Sequence, residues 1–200
     1  MKIAIELNDV LRDYSNNFLR YYIEGYNHEF DLSEFEFWTN DMSALFPFKS
    51  DAAYNNFVYN DYAFELFGKC GTCVRNVSSL FKKWMEQDID DLDLDEEIEV
   101  MFFSPMEYGA SIGNTYFFLS KLGTTVREVY MPKDSSTIWN KCDVLVTANP
   151  NLLNNKPEGK KTVKIKTEYN RDCPADFEYK DLSTFLENKE NTKALLNESV

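Results

Sequence analysis

Met1-Lys2-Ile3-Ala4-Ile5-Glu6-Leu7-Asn8-Asp9-Val10-Leu11-Arg12-Asp13 opens the chain and decides how the rest is read. Ile3, Ala4 and Ile5 form an apolar run too short for a helix, and it stops in the polar residues Glu6, Asn8 and Asp9. Such a run predicts a buried parallel strand that delivers polar side chains at its carboxyl end. Ligands gather at that end in open α/β sheets. Glu6 and Asn8 are therefore the first candidate site residues.

Past this strand, Leu11, Tyr14, Phe18, Tyr21 and Tyr22 recur at helical spacing and predict an amphipathic helix from Val10 to about Tyr26. Residues 27 to 48 are irregular and aromatic. Ser50-Asp51 looks like a helix start leading to Phe67, Gly68 and Gly71 mark a break, and a further helix is expected from about Val74 to Gln87. Residues 14–92 thus read as a mostly helical cap inserted into an α/β core made of residues 1–13 and 93–200. The cap's aromatics could stack a nucleobase, but at helical spacing they fit a core of their own better. Asp88 to Asp95 has the density of acids seen in calcium loops. It lacks a glycine at the sixth loop position, so the acidic segment from Glu86 to Glu99 is expected to be a solvated linker.

Beyond the linker, strands alternate with helices. Ile98 to Phe103 runs into Ser104, Ser111 to Leu122 is a helix closed by Gly123, and Thr125 to Met131 is a third strand. Asp143 to Thr147 and Thr162 to Ile165 are the fourth and fifth, with a last helix near Leu182 to Asn188. Alternation of this kind specifies an α/β fold, a Rossmann-like parallel sheet with helices on both faces.

Composition narrows the function classes. Two hundred residues, 44% of them apolar, can bury a sizeable core. Lys and Arg number 21 against 34 Asp and Glu, a formal net charge of −13, which repels phosphate backbones and anionic membranes. Neither nucleic acid nor membrane is an expected partner. The opening residues lack the pattern of a signal peptide and no window approaches a membrane span, so a cytoplasmic protein is expected. Cys70-Gly-Thr-Cys73 has metal or redox spacing, yet His28 is the only histidine and Cys142 and Cys173 stand apart, so reduced thiols are expected. Gly is scarce at 7 residues while Tyr and Phe reach 12 and 16, a usage that suits an AT-rich viral or low-GC bacterial source.

The opening stretch resembles the first motif of the haloacid dehalogenase (HAD-like) superfamily, Asp-x-Asp-Gly-(Thr/Val)-Leu, here Glu6-Leu7-Asn8-Asp9-Val10-Leu11. Phe102-Phe103-Ser104 is similar to the second motif, a strand ending in a phosphate-binding Ser or Thr. Asp143-Val-Leu-Val-Thr-Ala-Asn-Pro150, Lys161 to Lys166 and Tyr169-Asn170 resemble the tail of the 5'(3')-deoxyribonucleotidase branch. The resemblance implies a phosphatase that works through an aspartyl-phosphate, with a second Asp as acid and base, a Lys on the phosphate and Mg²⁺ on carboxylates.

Against those implied roles, this chain departs nearly everywhere. Glu6 adds a methylene to the nucleophile, and a misplacement of about 1 Å can cost roughly 10²-fold. Asn8 cannot exchange the proton of general acid–base catalysis. Thr147 and Ala148 stand where Mg²⁺ needs carboxylate oxygen. Asp134-Ser135-Ser136 stands where the Lys is expected, and neither Lys133 nor Lys141 aligns with it. Only Ser104 is unchanged, so Glu6, Asn8, Ser104, Ser135, Thr147 and Ala148 read as vestigial positions with no cofactor and no metal. The expectation is a catalytically inactive structural or interaction module joining homo- or hetero-oligomeric protein assemblies, as in a phage particle or virion. Two alternatives stand beside it. One is a Mg²⁺-dependent nucleotidase in which Glu6 is nucleophile or metal ligand and Asp9 or Asp13 the acid. The other is a nucleotide-binding protein that does not hydrolyse its ligand, using Ser104 and helix-start amides.

Overall fold

A computed structural model describes residues 1–85, 98–105, 107–124, 126–187 and 189–197. Six strands form one all-parallel sheet: β1 (Lys2–Glu6), β2 (Glu99–Phe103), β3 (Glu128–Tyr130), β4 (Val144–Thr147), β5 (Lys161–Ile165) and β6 (Phe177–Tyr179). Their order is β3-β2-β1-β4-β5-β6. This is the doubly wound Rossmann-like arrangement, in which the chain reverses its direction of growth between β1 and β4. Loops leaving those two strands diverge and open a crevice between them. The opening Ile-Ala-Ile run is therefore the central strand, fully buried as its sequence requires.

Residue alternation sorts the two faces of the sheet. Ile3, Ile5, Phe102, Val144, Val146, Val163 and Ile165 point to one side. There they meet α4 (Val77–Met85), α5 (Ala110–Leu122) and the terminal helices α7 (Leu182–Leu186) and α8 (Lys189–Asn197). Ala4, Met101, Phe103 and Leu145 point to the other side, against the 3₁₀ turn Ser135–Asn140 and α6 (Pro150–Asn154). Gly123 ends α5 in the left-handed conformation, φ 62°, that a glycine at this position is suited to adopt.

Inserted residues form a second centre. Helices α1 (Tyr14–Gly25), α2 (Met42–Leu45) and α3 (Asp51–Asn56) with two π-helical turns, Phe57–Asp61 and Phe64–Gly68, enclose an aromatic core. Phe18 sits inside it, its ring 5.0 Å from that of Phe46 and 5.4 Å from that of Phe57. These aromatics are buried against each other, and Tyr22 donates its hydroxyl hydrogen to the Pro47 carbonyl at 2.6 Å. Val77, Leu80, Phe81 and Trp84 of α4 instead join the core beneath the sheet.

Several expected boundaries move. The first helix begins at Tyr14, not Val10, because the N–H groups of Leu11 and Arg12 both donate to the Leu7 carbonyl and close a loop with Asp9 at φ 59°. The helix expected over 52–67 starts as its Ser50 cap dictates, with the Ser50 hydroxyl accepting from the Ala53 N–H at 3.2 Å, and then widens into the π turns. The sixth strand adds to the five expected. The acidic linker from Glu86 lies outside the described residues up to residue 97, and its last residue, Glu99, begins β2. The four cysteines are free thiols. Among the described residues, no helix is long and apolar enough to cross a membrane.

Candidate functional site

The crevice between the β1 and β4 exits widens into a cavity of about 390 Å³, floored by the sheet and walled by inserted aromatics such as Tyr14, Tyr54 and Tyr59. Glu6, the last residue of β1, reaches its floor and is almost wholly buried. Thr147, the last residue of β4, donates its hydroxyl hydrogen to Glu6 Oε2 and accepts the Asn149 N–H at 2.9 Å. Burial pushes the Glu6 carboxyl up to about 7; the nearby Asp9 adds to the rise, while the Thr147 hydroxyl opposes it.

Asp9 comes from the tight loop rather than from a strand, so strand alternation does not govern its direction. Its carboxylate accepts the Ser15 N–H at 2.8 Å, capping α1 from outside the helix, and also the Ser15 and Tyr169 hydroxyls, the latter at 2.8 Å. Desolvation raises its pKa against these donors. Asn170, the neighbour of Tyr169, is buried and donates to the carbonyls of Ala148 at 2.9 Å and Ile165 at 2.8 Å, tying the β4 and β5 exits together.

A second polar centre lies beside the first, and it is sealed. Arg12 is fully buried. Its Nε and Nη2 both donate to Asn8 Oδ1, at 2.9 and 2.6 Å. Nη1 donates to Thr115 Oγ1 at 2.7 Å and to the Phe67 carbonyl at 3.2 Å, and Nη2 also reaches Ser104 Oγ at 3.1 Å. The countercharge is Glu107, whose Oε1 lies 2.9 Å from Nη2 and accepts the hydroxyls of Ser104 at 2.6 Å and Thr115 at 2.9 Å. Both members of the ion pair have fully buried side chains. The Phe67 and Phe118 rings flank the guanidinium at 4.9 and 5.7 Å. Glu107 Oε2 is buried with no hydrogen-bond partner.

Glu6, Asn8, Ser104, Thr147 and Ala148 thus gather at neighbouring strand ends, but they do different things. Glu6 and Asn8 line the cavity, while Ser104, Thr147 and Ala148 are fully buried around it. Ser135 lies away from the cavity, following Asp134, which caps the 3₁₀ turn by accepting the Ser136 N–H at 2.9 Å. Lys133 and Lys141 are exposed and, among the described residues, no Lys or Arg lines the cavity. Lysines of β5 serve the sheet edge instead: the buried Lys164 pairs with Glu178 at 2.7 Å and donates to the Cys173 carbonyl at 2.6 Å.

Arg12 and Glu107 are the polar residues that sequence reasoning overlooked. Ser104-Pro-Met-Glu107 has the Ser-x-x-Glu spacing of a capping box, but in that motif each side chain bonds a backbone N–H, whereas here the two side chains bond each other. Nothing in the linear pattern brings Arg12 to them. No protein-family model and no curated protein matches the chain.

Donor chemistry decides whether Mg²⁺, implied by the resemblance, suits these strand ends. A hard cation of this size needs octahedral oxygen donors. Asn8 Oδ1 is held by two guanidinium N–H groups, both Asp9 oxygens are engaged, Glu6 Oε2 accepts the Thr147 hydroxyl and Ala148 has no side-chain oxygen. The donor set does not fit.

Proposed function

We propose that the chain is a catalytically silent HAD-like protein that serves as a structural or protein-interaction module. The carrying observation is the Glu107 carboxylate on the Ser104 hydroxyl. In the resemblance, Ser104 is the residue that holds phosphate. Here the chain's own carboxylate takes that hydroxyl, together with Thr115 and the Arg12 guanidinium. Serine, threonine and arginine donors on a carboxylate provide much of what a phosphate oxygen would accept. An incoming phosphate would have to break a buried ion pair, and leaving such a charge unpartnered costs several kcal/mol.

The adjoining cavity does not compensate. Glu6, Asp9 and Asp41 line it and, among the described residues, no Lys or Arg does, so it offers no countercharge to a phosphomonoester. Exposed aromatics on the surface suit the remaining role, contact with other protein subunits of the kind a virion component makes. The test is phosphate release from a panel of deoxynucleoside monophosphates with Mg²⁺. Release at the no-protein background is expected. Turnover that disappears with a chelator and in Glu6→Gln would overturn the proposal in favour of a rewired nucleotidase.

A further inference from the structure

The large apolar side chains left exposed among the described residues fall into two groups. Phe64, Tyr108, Ile112, Tyr116 and Phe117 lie on or beside α5 and the neighbouring π turn, where the Phe64 and Phe117 rings lie 5.4 Å apart and Tyr108 packs on Tyr59 at 5.8 Å. Leu32 and Trp38, the latter 66% exposed, belong to segment 28–41. Single exposed apolar residues are ordinary on soluble proteins, but clustering of this kind marks interaction sites.

Charge divides the two groups further. In a chain with 34 acids, residues 66–85 and 108–127 contain none. They carry Lys69, Arg75, Lys82, Lys83, Lys121 and Arg127 instead. The two stretches touch where the Ser78 hydroxyl donates to the Gly123 carbonyl at 3.1 Å, and Lys121 Nζ lies 5.2 Å from the centre of the Phe117 ring. Segment 28–41 is the reverse: Glu29, Asp31, Glu34, Glu36 and Asp41 are all exposed, and it has no Lys or Arg. Lys121 and Lys69 thus flank the apolar α5 face, with Glu65 beside Phe64, whereas the Trp38 face carries five acids, with Arg171 lining the same hollow as Trp38.

Among the described residues, the apolar side chains of both faces are exposed. Segment 28–41 rests beside the β5 exit, with the Phe37 N–H donating to Glu168 at 3.3 Å. Helix α5 connects β2 to β3, on the other side of β1 in the sheet order. We infer that the acidic Trp38 face of one copy docks on the α5 face of another, a heterologous contact between unlike surfaces. Complementary charge around aromatic anchors selects this pairing over one α5 face against another, which would bring Lys121 and Lys69 toward their own copies. Each chain carries both halves of the match, so a second copy is the occupant. A contact of this kind either closes into a ring or a reciprocal dimer, or propagates as a filament. The inference gives the interaction role its partner and so rests on that reading; a chain that stays monomeric would remove the partner and leave the sealed Ser104 position as it is.

Sedimentation velocity on the whole chain tests it, from about 1 to about 100 µM, the range in which modest interfaces associate. Wild-type protein should self-associate. Trp38→Ala and Tyr116→Asp/Phe117→Asp should each weaken association at least about tenfold, with circular-dichroism melts unchanged because these side chains are exposed. Mixing the two variants should restore a one-to-one complex, since each keeps the face the other has lost. A wild-type monomer throughout, association that survives Trp38→Ala, or a mixture that stays monomeric would each overturn the inference.

Discussion

Two polar centres stand side by side at the end of β1, built on opposite electrostatic terms. Around Arg12, a cation and an anion are both sealed from water, with every guanidinium nitrogen bonded to a side chain or carbonyl. Around Glu6, carboxylates face an open cavity that, among the described residues, no Lys or Arg lines. The difference teaches where the positive charge of this crevice has gone. A guanidinium that could have met a ligand's phosphate is instead matched to an internal carboxylate, and the cavity beside it is left with acids alone.

Breaking the sealed centre should have the largest effect. Arg12→Ala leaves Glu107 buried without countercharge and should cost about 3 to 5 kcal/mol of stability in urea unfolding. Arg12→Met with Glu107→Leu removes both charges and should recover most of that loss. A double variant as unstable as the single one would show that the two residues do not act as a pair.

The open centre responds to pH instead. Burial raises the Glu6 carboxyl from 4.5 to about 7, so the folded chain holds this proton more tightly than the unfolded chain does. The contribution to stability is fully present below the unfolded value and is lost as pH rises through the folded one. Glu6→Gln keeps the shape without the charge. It should be more stable than wild type by about 3 kcal/mol near pH 8, with the gap closing toward about pH 4.5, as followed by thermal unfolding across pH. A gap that stays constant with pH would mean that Glu6 does not titrate in this window.

A smaller effect sharpens the contrast within the open centre. Tyr169→Phe removes one donor from Asp9 while the Ser15 donors remain, and should cost about 1 kcal/mol in urea unfolding at neutral pH. A loss as large as that of Arg12→Ala would mean that Asp9 belongs to a cooperative network like the sealed one.

The fold was legible because its central strands are apolar runs too short for a helix, each ended by a polar residue. Ile3 to Ile5, Phe102-Phe103 and Val144 to Val146 are buried, and their polar successors Glu6, Ser104 and Thr147 meet at neighbouring exits. The sixth strand escaped notice because Phe177–Tyr179 is a three-residue edge, with its middle side chain exposed, too short to show alternation. The start of α1 was misplaced because Val10 and Leu11 are buried in a loop, where apolar spacing imitates a helix. In the site, Glu6 and Asn8 could be picked out from their place after a strand. The Arg12–Glu107 pair could not, since 95 positions separate its members and only the parallel pairing of β1 with β2 brings them together. A long-range ion pair leaves no periodic trace in a sequence.

Calorimetric titration of inorganic phosphate into wild-type protein and into Glu107→Ala examines the occupied Ser104 position most directly. Wild-type protein should give a flat titration, because Glu107 already holds the donors. Glu107→Ala, which leaves Arg12, Ser104 and Thr115 without their anion, should bind phosphate and gain thermal stability from it. Saturable binding to wild type, unchanged by the substitution, would mean that the position is open and that Glu107 does not occupy it.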